Sequence, residues 1–283
     1  MKELVILIIG CVISAQPSHE ENKISDAPQA PVIIHKTGFE KGSDEDSFSR
    51  DSWVAEGFDP AWVMGFGQGR AHIDTDQAHT GKNSLRIDYP ANSYLPDING
   101  AQVPLLFAPL KEVYASYWLR FSENFDWGRE NEGGKLPGLA GGDRCSGGQT
   151  CDGTNGFTAR LMWRPDGRAV LYLYHMDKPG TYGDNINLIS KSGQVYFIPG
   201  QWYQVTERVK INTDNNKDGE VQIWINGEEV LNLTGIRFVN DGSLVDTFYF
   251  STFHGGNNIS WAPKVDCYIW YDDLSVYHYP KVD

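Results

Sequence analysis

The chain has 283 residues, enough for one large domain or two smaller ones, and its aromatic content of 13% suits packed β-sheets. Its formal net charge of −13 at pH 7 argues against nucleic acid as a partner, because phosphate binding needs a basic surface. Exposed charges are screened beyond about 8–10 Å at ordinary salt, so a few local cations can still make one cleft attractive to an anion.

The N-terminus has the pattern of a targeting segment. Residues 1–15 combine Lys2 with an apolar run that is too short to span a bilayer as a mature helix, which predicts a signal peptide. The sequence IIGC also fits a bacterial lipobox, which would leave Cys11 lipidated. Residues 16–36 are polar and contain proline, as in a flexible linker. We therefore expect an exported protein, secreted or held at the cell surface, without a transmembrane span.

Residues 37–283 predict a single all-β domain. Short runs with a period of two are separated by clusters of Gly, Pro, Asn and Asp, and no amphipathic helix of a dozen residues is evident. Strands at this spacing favour a jelly-roll β-sandwich of two antiparallel sheets. The domain contains no internal repeat, and we expect it to be a monomer.

A glycine-rich stretch, ENEGGKLPGLAGG, covers residues 130–142. Glycines allow close approach of the backbone to a ligand, and Pro137 restricts the backbone that the glycines loosen. The pattern predicts a loop that carries Lys135 and enters the first strand of the following hairpin, where the lysine could overhang a polar face. The simplest alternative is a surface loop with a solvated lysine.

Three cysteines follow the N-terminal segments. Cys145 and Cys151 flank the short stretch SGGQT, and export would allow a disulfide between them. Cys267 lies in the apolar run VDCYIWY, which predicts a buried thiol. No further Cys or His stands at metal-ligand spacing, so the sequence gives no support for a zinc site.

The segment GFTARLMWRPDGRAVLYLYHM, residues 156–176, predicts a hairpin because two β-rich runs flank the turn sequence RPDGR. With the turn centred on Asp166, Arg160 lies opposite Tyr172 and Thr158 lies opposite Tyr174. Alternation then puts these four side chains on one face. The other face is apolar and predicts a core, with Phe157, Ala159, Leu161, Leu171 and Leu173.

These polar groups suit β-elimination on a uronic acid polymer. The reaction removes the C5 proton beside a carboxylate and expels the C4 oxygen, so it needs a cation on the carboxylate, a base and an acid. Arg160 offers a planar fork that matches a carboxylate, and Lys135 or a tyrosine can exchange protons once desolvation and neighbouring cations lower its pKa. The alternatives are a glycoside hydrolase, which needs two suitably spaced carboxylates, and a non-catalytic carbohydrate-binding module, in which these side chains need not converge.

Several segments also carry a resemblance to a known family: YWLRFSENFDWGRENEGGKLPGLAGG, GFTARLMWR, YLYHM, FSTFHGG and YIWYDDLSV. They look like polysaccharide lyase family 14, the alginate lyases, over most of residues 37–278. The resemblance implies a jelly roll with a substrate cleft across one sheet, endolytic β-elimination of alginate, and catalysis without a cofactor. It matches Lys135 to the family's leading catalytic lysine, and Arg160, Tyr172 and Tyr174 to its strand arginine and tyrosine pair.

Four further residues are candidate ligands. Several family members have serine where this sequence has Thr158, so Thr158 is a candidate substrate-binding hydroxyl. His254, in STFHGG, could donate to a sugar at the cleft, although a lone histidine is more often structural. By analogy with carbohydrate-binding jelly rolls, Glu40 and Asp273 could hold a structural calcium, and the alternative is plain surface carboxylates.

The predicted partner is an anionic polysaccharide, and alginate with mannuronate-rich stretches is the expected substrate. The family also resembles glucuronan lyases of similar fold. Mannuronate and glucuronate both carry a C5 carboxylate, so a lyase of glucuronan or of another polyuronate stays open.

Overall fold

The structure, a computed structural model, describes Met1 and residues 29–43, 47–130 and 133–280. Contacts between Cα atoms divide the chain into two units, Met1–Ala30 and Pro31–Asp283, and the second contains all the strands and helices given below. Within the described part of the chain, no helix is long and apolar enough to cross a membrane.

The strands are numbered β1 to β17 in chain order. They are β1 (Val32–Thr37), β2 (Asp59–Pro60), β3 (Ala71–Asp74), β4 (Ser84–Tyr89), β5 (Ala101–Leu110), β6 (Glu112–Phe121), β7 (Gly134–Gly141), β8 (Phe157–Arg164), β9 (Arg168–Tyr174), β10 (Asp184–Asn187), β11 (Ile189–Ser190), β12 (Gly193–Gln194), β13 (Trp202–Lys210), β14 (Gly219–Ile225), β15 (Glu228–Ile236), β16 (Val245–His254) and β17 (Cys267–His278). The short helix α1 (Arg50–Ala55) lies between β1 and β2, and two 3-10 turns cover Pro165–Gly167 and Ile259–Trp261.

Two large antiparallel sheets form the sandwich, which confirms the predicted all-β jelly roll. The front sheet has the strand order β10-β9-β8-β7-β16-β5-β2, and the back sheet has the order β15-β14-β13-β6-β17-β4-β3, with β1 also paired to β17. Strands that are distant in the chain also pair in these sheets, since β7 pairs with β16 as well as with β8. The fold thereby brings residues that are far apart in sequence onto one sheet face.

The two sheets bury their side chains differently. In β13 and β14 of the back sheet, buried and part-buried residues alternate strictly, as expected when one face packs on the core and the other faces water. In β8 of the front sheet, by contrast, seven consecutive residues are buried, so its outer face is covered as well. The outer face of the front sheet is therefore the floor of a walled cleft.

The folded domain begins earlier than the predicted boundary at residue 37. Strand β1 starts at Val32 and pairs with β17, with Val32 opposite His278 and Thr37 opposite Leu274. The linker prediction therefore does not hold for its last five residues, because these residues belong to β1, which pairs with the last strand. Residues 16–28 of the predicted linker, Cys11 and the predicted signal peptide apart from Met1 lie outside the described residues.

The glycine-rich stretch is also not the loop that its composition predicts. Residues Gly134–Gly141 form β7, between β8 and β16 in the middle of the front sheet. The glycines allow β7 to pack closely against β8, and they do not make room for a sugar. A Cβ on Gly138 would lie 2.1 Å from the Ala159 carbonyl oxygen, and a Cβ on Gly134 would lie 2.0 Å from the Trp163 ring.

We expect the substitution Gly138→Ala to lower the free energy of unfolding by about 1–3 kcal/mol, because the backbone of β8 leaves no space for a methyl group. The matched control is Gly180→Ala, since the nearest atom to a Cβ at Gly180 lies 3.9 Å away. The control is expected to stay within about 0.5 kcal/mol of the parent protein in urea denaturation. Equal stabilities of the two variants would contradict this packing argument.

The cysteine predictions are confirmed. Cys145 and Cys151 form a disulfide, with their Cα atoms 5.8 Å apart. Cys267 is a fully buried free thiol, and burial raises its pKa to about 12.

Candidate active site

The predicted hairpin forms in the predicted register. Strands β8 and β9 pair with Thr158 opposite Tyr174 and Arg160 opposite Tyr172. Asp166 occupies the turn with a φ of 61°, in the left-handed region that Asp tolerates better than most residues. The predicted core face is fully buried at Phe157, Ala159, Leu161, Leu171 and Leu173.

A cleft of about 670 Å³ lies over the outer face of the front sheet. Its lining includes all four side chains predicted to be catalytic, namely Lys135, Arg160, Tyr172 and Tyr174. Lys135 comes from β7, opposite Met162 of β8, so it stands in the sheet beside the hairpin and does not overhang it from a loop. Convergence of these groups is what a lyase requires and a non-catalytic module does not.

The amine of Lys135 contacts a thioether and an aromatic ring. Its Nζ lies 2.9 Å from Met162 Sδ and 3.7 Å from the centre of the Tyr172 ring. Burial lowers the pKa of Lys135 well below its ordinary value, and the positive charges of Arg160 and Arg164 lower it further. A carboxylate would stabilise an ammonium more strongly than this thioether and this ring face do. The site therefore favours a neutral amine.

Arg160 is a buried cation with few partners. Its side chain is 3% exposed, and its Nη1 donates to Ser251 Oγ at 3.0 Å. The guanidinium lies 5.0 Å from the centre of the Tyr249 ring, and its buried Nε has no hydrogen-bond partner. A guanidinium with free donors at the floor of a cleft is suited to bind a carboxylate.

Tyr172, whose ring contacts Lys135, forms a hydroxyl pair with Tyr174. Their hydroxyl oxygens are 3.4 Å apart, and the backbone N–H of Gly148 donates to Tyr174 Oη at 2.9 Å. Gly148 belongs to the loop closed by the disulfide, so that loop helps to orient Tyr174. Burial and the neighbouring Tyr174 hydroxyl raise the pKa of Tyr172, which keeps its proton at neutral pH.

The cleft is lined by basic side chains although the chain is acidic. Lys135, Arg160 and Arg164 line it, and the described lining residues include no Asp or Glu. Arg164 lies 5.8 Å from the centre of the Tyr172 ring and donates from Nε to Asn185 Oδ1 at 2.9 Å. The paired carboxylates that a glycoside hydrolase needs are therefore not present in this lining.

Two predicted substrate ligands have structural roles instead. Thr158 is fully buried and donates its hydroxyl to the Cys145 carbonyl at 3.2 Å, beneath the disulfide loop and outside the cleft lining. His254 is also fully buried, and its Nε2 lies 2.8 Å from the Asp126 carbonyl oxygen while its ring stacks on Phe125. Burial lowers the pKa of His254 to about 4, so it is a neutral core residue.

Glu40 and Asp273 serve as hydrogen-bond acceptors. Glu40 Oε1 accepts from the backbone N–H of Lys82 at 2.9 Å, and Asp273 accepts from the Thr80 hydroxyl at 2.7 Å. Asp273 Oδ2 also lies 2.7 Å from His79 Nδ1. The described residues contain no group of three His, Cys, Asp or Glu side chains placed to hold a metal ion. Structural calcium stays a prediction.

Several lining residues were not identified from the sequence. Met162 and Arg164 follow Arg160 at intervals of two on β8, so strict alternation along that strand could have placed them on the cleft face. Gln102 and Tyr249 come from β5 and β16, and their oxygens are joined by a 3.1 Å hydrogen bond. No local pattern shows that these two strands lie side by side in the front sheet.

Comparisons with known proteins show the family and the fold of the chain. The family model described as Polysaccharide lyase 14 matches residues 77–274. The structure resembles the alginate lyase Aly36B with 29% identity and a TM-score of 0.71, covering 88% of this chain and 97% of that chain. It also resembles the PL-14 alginate lyase of Aplysia kurodai, with 26% identity and a TM-score of 0.71, covering 88% and 100% of the two chains.

More distant structures share the fold. The alginate lyase vAL-1 from Chlorella virus has 19% identity and a TM-score of 0.65, covering 84% of this chain and 99% of that chain. No curated protein sequence gives a significant match. The family match covers well over half of the chain, and the solved alginate lyases share its fold. The chain therefore belongs to polysaccharide lyase family 14 and is a polysaccharide lyase.

Proposed function

We propose that the chain is an exported alginate lyase that cleaves internal linkages of mannuronate-rich stretches by β-elimination. The observation that carries this proposal is the convergence of three groups in one cleft. These are the Lys135 amine with a lowered pKa, the incompletely paired guanidinium of Arg160, and the protonated Tyr172 hydroxyl beside Tyr174.

Each group has one role in the proposed reaction. Arg160 binds the C5 carboxylate and stabilises the negative charge that develops there in the transition state. The neutral Lys135 amine takes the C5 proton, the C4–O bond breaks, and the electron pair forms the C4–C5 double bond. The tyrosine pair donates a proton to the departing O4, and the proton on Lys135 then returns to the tyrosine directly or through water.

The geometry favours mannuronate over guluronate. Lys135 and the tyrosine pair both project from the outer face of the front sheet, so the base and the acid approach the sugar from one side. In mannuronate and glucuronate the C5 hydrogen and O4 lie on the same side of the ring, whereas in guluronate they lie on opposite sides. A one-sided pair of proton-transfer groups therefore suits the first two sugars, and glucuronan remains the alternative substrate.

The solved relatives support alginate as the substrate. Aly36B was solved with an alginate tetrasaccharide in a variant that replaces a lysine and a tyrosine by alanine. A second Aly36B variant, with a lysine and a methionine replaced, was solved with an alginate trisaccharide. Lysine, tyrosine and methionine are also the residue types that meet at Lys135, Tyr172 and Met162 in this chain.

The experiment is incubation of the protein with polymannuronate, polyguluronate and glucuronan, followed by the ultraviolet absorbance of the new double bond. We expect turnover of polymannuronate to exceed turnover of polyguluronate. Endolytic action predicts that viscosity falls early and that size-exclusion chromatography shows short oligomers rather than monomers. Absence of absorbance on every polyuronate would refute the lyase proposal, and a preference for guluronate would refute the one-sided geometry.

A further inference from the structure

The strand that carries Lys135 contains a β-bulge. Lys135 is opposite Met162 and Gly138 is opposite Arg160, so three steps along β7 match two steps along β8. Leu136 and Leu139 are three residues apart, yet both are fully buried in the core. Regular alternation would send one of them outward, so the extra residue is what lets both leucines face the core while Lys135 faces the cleft.

Two side chains of the back sheet reach across the core to this bulge. The hydroxyl of Tyr117, on β6, donates to the Pro137 carbonyl at 2.9 Å. The carboxyl of Glu207, on β13, accepts from the backbone N–H of Leu139 through Oε2 at 2.8 Å. Tyr117 is 1% exposed and Glu207 is 0% exposed. The two bonds hold the backbone on both sides of Gly138.

Glu207 is a costly residue to place there. Its side chain is fully buried, and its second oxygen, Oε1, has no hydrogen-bond partner. Burial raises the pKa of Glu207 well above its ordinary value, although the hydrogen bond from Leu139 lowers it in part. Glu207 does not line the cleft, so the chemistry proposed above does not use it directly. An apolar side chain of similar volume would pack without this cost.

We propose that Tyr117 and Glu207 are positioning residues that clamp the bulge of β7 and so hold the Lys135 amine against Met162 and Tyr172. The inference deepens the proposed function and rests on it for the role of Lys135. A bulge leaves main-chain groups outside the regular ladder of hydrogen bonds, and here side chains of the opposite sheet pair with two of them. The clamp pairs one carbonyl and one N–H at the point where β7 departs from regular alternation.

Three substitutions test the clamp. Glu207→Met removes the acceptor but fills the same space, and we expect kcat to fall on the order of tenfold or more with little change in KM, because small displacements of a reacting group are costly. Glu207→Gln keeps an acceptor for Leu139 and is expected to restore most of kcat. Tyr117→Phe removes only the second bond and provides the test if Glu207→Met does not fold. Val221→Ala, a buried truncation elsewhere in the back sheet, is the control for general destabilisation.

A readout that does not depend on turnover separates this inference from the proposed function. Lysines labelled by reductive ¹³C-methylation are titrated by NMR, with the Lys135 signal assigned by its loss in Lys135→Ala. We expect the Lys135 titration to move toward the ordinary lysine range in Glu207→Met and Tyr117→Phe but not in Val221→Ala. The clamp is refuted if the first two variants keep the parent titration and kcat, or if Val221→Ala shifts both equally. A parent protein inactive on all polyuronates would refute the function while leaving this titration informative.

Discussion

Replacement of Lys135 by alanine is expected to lower kcat by a factor on the order of 10²–10⁴, the range that a positioned acid or base contributes. KM should change little, because Arg160 still binds the substrate carboxylate. The fold should not suffer, since the variant removes a part-buried amine with no carboxylate partner in the cleft lining. The measurement is steady-state kinetics on polymannuronate, with thermal unfolding of both proteins. Lys111→Ala, at an exposed lysine outside the cleft, is the control.

Lys135→Arg distinguishes a base from a simple cation. Arginine keeps the positive charge but stays protonated, so it cannot accept the C5 proton. We therefore expect Lys135→Arg to be about as inactive as Lys135→Ala. Substantial activity of the arginine variant would show that Lys135 acts only through its charge.

The same assignment fixes the sign of the pH dependence. The neutral amine is the active form, and burial lowers the pKa of Lys135, so kcat/KM should rise as pH increases through that lowered pKa. The raised pKa of Tyr172 keeps its proton available in the alkaline range, so activity should persist there. A pH profile that falls through neutrality as pH rises would contradict these roles.

Local patterns were sufficient for the hairpin and the disulfide. The turn sequence RPDGR and the alternation on either side of it gave the register that places Arg160 opposite Tyr172. Cys145 and Cys151 were close in sequence, so their pairing needed no knowledge of the fold. Both features depend on contacts within about twenty residues, which is the range over which periodicity and turn chemistry act.

Non-local packing decided the residues that the sequence misplaced. The glycine content of β7 is typical of a loop. In the structure β8 packs so closely against Gly138 that no Cβ fits there. The sequence around His254 is compatible with a cleft residue. In the structure its ring stacks on Phe125 and contacts the Asp126 carbonyl oxygen. Met162 contacts Lys135, and strand alternation alone predicts that it faces the cleft. Its apolar side chain instead suggests a core residue. For Gly138 and His254 the deciding neighbour is distant in sequence.

Replacement of Arg160 by glutamine is expected to lower kcat/KM by a factor on the order of 10²–10³, comparable to the loss of a preorganised donor at a developing negative charge. Arg160→Lys should recover only part of this loss, because an ammonium cannot form the two parallel bonds of a guanidinium with a carboxylate. The control is Arg168→Gln, at the turn of the same hairpin and outside the cleft lining, where Nη1 donates to Asn187 Oδ1 at 2.5 Å.

Arg160→Gln should also change the pH profile, because the charge of Arg160 is one cause of the lowered pKa of Lys135. With that charge removed, the Lys135 pKa rises and the acid limb of kcat/KM moves to higher pH. Arg160→Lys keeps the charge, so its acid limb should stay near that of the parent protein. A loss of activity without this displacement would mean that Arg160 binds the carboxylate but does not tune the base. A displacement in both variants would point instead to a rearranged cleft, since only one of them removes the charge.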